Sequence, residues 1–386
     1  MPIWMIEPHD TLVVRDGRPF NADIGARAHS LPFVTPSMIA GAGRQRIGSD
    51  ASGKFVHQQP LQLLQHAIRG PLLYNLKDGM PWVSAPADAL LMGEGDDRIL
   101  RQLTPIADAR GCTNLPVQGA QYPAIATAGM APVGFATHTD NDRRKPNEKD
   151  GIYWSWDLFC EWLLNPCDIS FVQPFALDKK PAMCIMGSLQ RDTRTHVQID
   201  ASRGTVGDEG GRLFSTQGLQ FRDRERAFGI AVDVADDMTN RPTVGSLGGE
   251  RRLVSWRQAQ MQFPAIPAGL IERIVKSKKC RVVVLTPAYF AQGWYPGLLL
   301  SSQHNVQPTL MAAAAGRAQV LSGWDMAIGK PKSSKRYMGA GSVYYLELAG
   351  TDADIATWVA NMWFQNISDE DQSRRDGFGL AVVGVW

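Results

Sequence analysis

Residues 245–252 read GSLGGERR, in which glycines and a carboxylate lead into adjacent Arg251 and Arg252 before the strand-like LVSW. Glycine lets a second backbone come close, and guanidinium is the side chain best matched to a pair of phosphate oxygens. Gly248, Gly249, Arg251 and Arg252 are therefore candidates for gripping a phosphate backbone. Taken alone, the stretch reads more simply as a hairpin turn with a solvated charge pair. Glu250 would repel phosphate, so it is expected to pair with Arg251, Arg252 or another local donor, or to hydrogen-bond a base edge.

The same mixture recurs elsewhere. Arg15, Gly17, Arg18 and Phe20 lie where a first strand runs into its loop, and Ser37, Gly41 and Arg44 fall on a predicted first helix. There the Ser37 hydroxyl and free first-turn amides could face a phosphate. The structural alternative is a tight strand-to-helix connection with Phe20 and Phe33 in the core. Arg191, Arg194 and His196 form a further cluster; Lys332, Lys335 and Arg336 precede Gly339, Gly341 and Ser342 in GAGS, and Gly377 and Gly379 lie in DGFG. The lysines just ahead of GAGS favour RNA contact at that turn. Trp324 and Asp325 invite a stacking role, but tryptophans in apolar segments usually pack as core, and core is the expectation.

Catalytic signatures are sparse. Cys112, Cys160, Cys167, Cys184 and Cys280 form no CxxC pair, no HExxH or HxxxH occurs, and no GxxxxGK[ST] loop is present. The odd cysteine count suits a reducing compartment. No metal and no cofactor is expected. His196 is the best candidate for a general acid or base, yet no partner of fixed spacing accompanies it, so a strand-edge or RNA-contacting histidine is expected instead.

The elements that must position these residues alternate. Strands are predicted at 3–14, 195–200, 211–221, 228–235, 251–256, 280–290, 341–348 and 380–386; helices are predicted at 36–48, 153–164, 267–277 and 352–365. Residues 93–152 read as a long loop-rich insertion that is mobile or ordered by a partner. A chain of 386 residues with 44% hydrophobic content exceeds one usual domain. The boundary is placed near 262, giving 1–262 and 263–386. Twice a strand follows a glycine-rich turn, as in βαββαβ ferredoxin-like domains. Net charge is only +2, but basic clusters and acidic runs such as GEGDD and DVADD are segregated, so one face could be basic. No stretch has the length and apolarity of a membrane span or a signal peptide, and a cytoplasmic chain is expected.

The ordered set IEPHDTLVVRDGRPF, LPFVTPSMIAGAGRQRIG, HVQID, EGGRLFS, SLGGERRLVSW, LTPAYFAQGW, SGWDM and GAGSVYYLE resembles the RAMP-superfamily subunit of the type III-B CRISPR Cmr complex that holds the 5′ tag of the CRISPR RNA. The resemblance spans nearly the whole chain. It implies an α+β protein of two tandem ferredoxin-like (RRM-like) RAMP domains, with the insertion in the first. Implied partners are CRISPR RNA, the large polymerase/cyclase-like subunit and the backbone RAMP subunit, with target RNA met indirectly. Catalysis is implied to reside in other subunits, so the chain is expected not to be an enzyme. The alternatives are a metal-independent CRISPR RNA-processing endoribonuclease, since related RAMP ribonucleases use a histidine, and a purely structural adaptor.

Overall fold

The computed structural model describes residues 2–18, 26–106, 130–135, 143–170, 173–174, 184–200, 202–206, 213–223, 226–234, 238–325 and 329–386. Phe20 and Cys112, and half of the expected insertion, lie outside them. The chain is α+β, with more strand than helix. It divides into two compact units: Met1–Gly79, Ser188–Met261 and Val320–Arg336 form the first, and Met80–Gly187, Gln262–Gln319 and Tyr337–Trp386 the second. One break falls at 261/262, and the segments on either side of it interleave along the sequence.

In the first unit the strands run in the order Val244–Leu247, Arg252–Ala259, Ile3–Pro8, Phe228–Val234, Ile68–Asn75. The opening strand pairs antiparallel with both Arg252–Ala259 and Phe228–Val234. It ends at Pro8 rather than at residue 14, because beyond it the chain makes only isolated bridges, Leu12 to Leu219 and Val13 to Gly249. The helix Pro36–Ile47 follows, with proline at its start and Thr35 Oγ1 accepting from the Met38 N–H at 3.3 Å. That cap supplies one of the helix's free amides with a partner. A long hairpin, Gln190–Val197 with Leu213–Gln220, adds a separate sheet.

The second unit repeats the strand order. Counted along the chain, Lys279–Val284, Gln307–Ala314, Val343–Ala349 and Leu380–Val385 lie as second, third, first, fourth, with Gln365–Asn366 at the edge. The first unit's four main strands lie in the same order read from the other edge. The helices differ: the first unit has Pro36–Ile47 between its first and second strands, and the second has Asp352–Met362 between its third and fourth. Leu270, Ile274, Trp358 and Val359 join the strand residues Val282, Val284, Leu346 and Val383 in one core. Burying each such large apolar side chain is worth about 1.5–3 kcal/mol before entropy is counted. The predicted strand 280–290 stops at Val284, and the helix predicted from 153 begins at Trp156, because Tyr153–Ser155 pairs with Met80–Ser84 and Cys184–Met186. Within 93–152, Ile99–Pro105 pairs with both Ala89–Met92 and Val133–Phe135, so part of the expected loop is sheet.

Arg281, the last residue of the basic run KSKKCR at 276–281, is 1% exposed. Its guanidinium pairs with Asp88 and donates to the carbonyls of Trp162 and Val385. Asp88 also accepts from Trp162 Nε1 at 2.9 Å. A cation brought into the interior needs all of these partners, since desolvation otherwise outweighs the Coulomb gain. Asp88→Ala should lower the free energy of unfolding by about 3–5 kcal/mol through the uncompensated buried charge. Asp88→Leu with Arg281→Met should recover part of that loss. Urea denaturation followed by tryptophan fluorescence checks both.

Candidate nucleic-acid interface

The glycine turn is built by register. Leu247 faces Arg252 across the hairpin, leaving residues 248–251 as the turn. Gly248, Glu250 and Arg251 have φ of 74°, 58° and 50°. The backbone that approaches is the chain's own: Gly249 N–H donates to the Val13 carbonyl at 2.8 Å, and a Cβ on Gly248 would lie 2.7 Å from that oxygen. The second unit has the counterpart. Gly379, with φ of 79°, donates its N–H to the Pro287 carbonyl at 2.8 Å, and a Cβ there would lie 2.8 Å from the Ser368 nitrogen. Gly377 is buried and its carbonyl accepts from Thr286 Oγ1 at 2.8 Å. Gly341 is closed over by the Ala85 carbonyl, and buried Ser342 donates its hydroxyl to Gly339 O at 2.7 Å.

The two arginines of the turn separate. Arg252 is held between Asp10, at 2.7 Å, and Glu250, at 2.5 Å, so Glu250 pairs locally as expected. Arg251 stays exposed, and no ion pair reaches it among the described residues. Asp10 also takes a two-point contact from Arg194, at 3.0 and 2.8 Å, and Arg194 is braced by Asp192 at 2.7 Å. The Arg194 hydrogen bond, with the Thr11 amide second, holds the Asp10 carboxyl down at about 2. Asp10 is absent from the sequence-based set; its sole cue is an acid just past a strand end, a common arrangement.

Other expected residues are divided by burial. Arg44 is 6% exposed and donates to the His66 carbonyl at 3.3 and 3.0 Å, which makes it an internal strut. Ser37 contacts Thr35 at 3.3 Å, and Gly41 is exposed with open space around it. His196 meets Thr216 Oγ1 at 2.9 Å and stacks on Phe214 with ring centroids 5.2 Å apart. Arg191 is exposed on the same strand but belongs to its opposite face, since residues 192, 194 and 196 alternate with 191, 193 and 195.

A basic strip remains. From Val13 at the glycine turn, the chain runs through exposed Arg15 to Gly17, whose Cβ position lies 3.7 Å from Ser322 and 3.9 Å from Ser334. Arg18 is exposed and pairs with Asp16 at 3.3 Å. Ser322 belongs to an arm in which Trp324 faces Pro331 and Asp325 faces Lys330. The Lys332 N–H donates to Gly323 O at 2.8 Å, and Ser322 Oγ donates to Lys332 O at 2.7 Å. Lys330, Lys332 and Arg336 are exposed, with no ion pair among the described residues, and Lys335 is half-buried. Trp324, expected in the core, is 57% exposed: the paired two-residue strands that carry it enclose no interior for an indole. Cations, a backbone turn and an exposed aromatic face are the parts that single-stranded nucleic acid uses.

The family model described as CRISPR-associated protein (Cas_Cmr3) matches residues 4–386. The chain belongs to the Cas_Cmr3 family. A comparison with curated proteins found no match. Among solved structures, the chain is similar to one in a cryo-EM structure of the Type III-B Cmr-beta bound to cognate target RNA, at 17% identity and a TM-score of 0.46. It is also similar to one in the Type III-B Cmr-beta bound to cognate target RNA and AMPPnP, at 16% identity and 0.42. Each alignment covers 89% of this chain and 86% of the other.

Two outcomes follow for this Cas_Cmr3 chain. Gly248→Ala should destabilise it by more than about 1 kcal/mol, from positive φ together with the clash at Val13, as read by chemical denaturation. Asp10 has a folded pKa below its ordinary value, so its link to Arg194 and Arg252 stabilises above about pH 3.8 and is lost as pH falls toward about 2. Asp10→Asn should flatten that limb of the stability–pH curve.

Proposed function

We propose that this chain is a non-catalytic RNA-binding subunit of a type III-B CRISPR effector ribonucleoprotein, holding the 5′ tag of the CRISPR RNA in the cytoplasm. It bridges the large polymerase/cyclase-like subunit to the backbone RAMP subunit and meets target RNA only indirectly. Membership of the Cas_Cmr3 family supports the placement in a Cmr complex. In this reading each unit is a ferredoxin-like RAMP domain that keeps one of its two crossover helices, which the shared strand order supports.

The observation that carries RNA binding is the strip of exposed Arg251, Lys330, Lys332 and Arg336 beside exposed Trp324, all in the first unit. An exposed cation without a carboxylate partner is available to a phosphate, whereas Arg194 and Arg252 are already neutralised by Asp10 and Glu250. The non-catalytic reading is favoured over ribonuclease activity by the surroundings of His196, which meets a hydroxyl and a phenyl ring rather than an acid.

Replacing Arg251, Lys332 and Arg336 together with Ala should weaken binding of tag-bearing RNA, measured by fluorescence anisotropy. The salt slope should fall by about 2, since each single-stranded phosphate left without its cation lowers it by about 0.7. Trp324→Ala should weaken binding by about 1–3 kcal/mol with little change in that slope. Triple-variant binding at the wild-type level would remove the strip from the RNA path and favour the adaptor reading. Full-length protein should leave repeat RNA intact without metal; cutting that disappears in His196→Ala would make it a processing enzyme.

A further inference from the structure

The helix Pro36–Ile47 ends beside the edge strand Val244–Leu247, and between them lies a solvent-open cleft of about 420 Å³ whose lining includes Gln45, Arg46, Arg241, Gly245, Ser246 and Trp256. Arg46 is 9% exposed and lies over the Trp256 ring, its guanidinium carbon 5.1 Å from the centroid. Its Nε is buried without a hydrogen-bond partner. Arg241 is fixed beside it by donating from Nε to the Arg46 carbonyl at 3.1 Å and from Nη2 to the Ile47 carbonyl at 3.2 Å. Two guanidinium groups thus share one cleft, and among the described residues no salt bridge reaches either.

The neighbouring charges do not cancel them. Asp50, the acid that feels Arg241, is half-buried, and its carboxylate already accepts from the Ser52 amide and hydroxyl and the Lys54 amide. Helix-terminal carbonyls would ordinarily repel an anion, but here the Arg46 carbonyl accepts from Ser49 N–H and Arg241, and the Arg44 carbonyl from Gly48 N–H. Gly245 leaves room: a Cβ there would sit 3.4 Å from Arg46 Nη1. Burial, with repulsion from Arg241 second, pushes the Arg46 pKa down to about 10, so the group remains a cation at neutral pH. Holding two like charges this close, one of them desolvated, is unfavourable unless an anion relieves it.

We propose that this cleft binds a phosphate-class oxyanion, with Arg46 and Arg241 as its charged donors and the Ser246 hydroxyl at its mouth. The inference is independent of the basic strip, since no residue is shared. The phosphate is either free inorganic anion or a phosphodiester of RNA.

Thermal unfolding of the full chain, in inorganic phosphate against chloride at matched ionic strength, tests it. Phosphate should raise the midpoint. Arg46→Lys keeps the charge over Trp256 but loses the planar fork, and should raise the phosphate concentration needed for half the shift about tenfold. Ser246→Asp, which places a carboxylate at the mouth, should raise the midpoint in chloride and abolish the phosphate response; it decides the matter even if Arg46→Lys does not fold. Loss of the phosphate response on adding single-stranded oligouridylate identifies the ligand as an RNA phosphodiester, and retention identifies the free anion. A phosphate response absent from wild type, or unchanged in Ser246→Asp, overturns the site.

Discussion

Each unit depends on one close crossing of backbones, in which the chain entering the last main strand passes over the chain leaving the first. Gly249 donates to Val13 in one unit and Gly379 to Pro287 in the other, both at 2.8 Å. A buried amide must find an acceptor, and here it finds one only because no Cβ intervenes. The glycine-rich loops are thus first a condition of closing the sheet. What projects beyond the crossing in the first unit is the exposed Arg251.

The same segment sets the electrostatics. Asp10 stands just after the first strand and gathers Arg194 from the long hairpin and Arg252 from the turn, while Glu7 gathers Arg222 and Arg257. Two acids at the end of one strand therefore pair with four arginines that a linear reading counts as free, and Asp192 and Glu250 add a second carboxylate to Arg194 and Arg252. Among the described residues, the cations that no ion pair reaches include Arg251 at the turn, Lys330, Lys332 and Arg336 on the arm, and Arg46 and Arg241 in the cleft. Net charge conceals them, because they are offset by acids elsewhere in the chain.

Much of the fold is legible where hydrophobic periodicity meets a cap or a glycine: the strands near 228–234 and 380–385 and the helix at 36–47 lie where the pattern puts them. Charge logic has Glu250 pairing with Arg251, Arg252 or another local donor, and the partner is Arg252. Less can be read where the decisive partner is remote in sequence. Arg281 sits among lysines and looks solvated, yet Asp88 lies 193 residues away. Arg44 has the helical spacing of a surface cation, but its partner is the carbonyl of His66 in the loop that follows. Trp324 departs from expectation because composition favours burial of indoles, while the narrow arm that bears it offers no interior.

Asp88 and Arg281 also bear on how the protein can be made. The ribosome releases Asp88 long before Arg281, and later still the Val385 carbonyl that completes the guanidinium's shell. Until then Asp88 must stay hydrated, so the segment around it cannot settle into a dry interior while the intervening chain is being synthesised. The shell around the Arg281 guanidinium is therefore completed only after residue 385 has emerged, which makes this part of the second unit among the last to close.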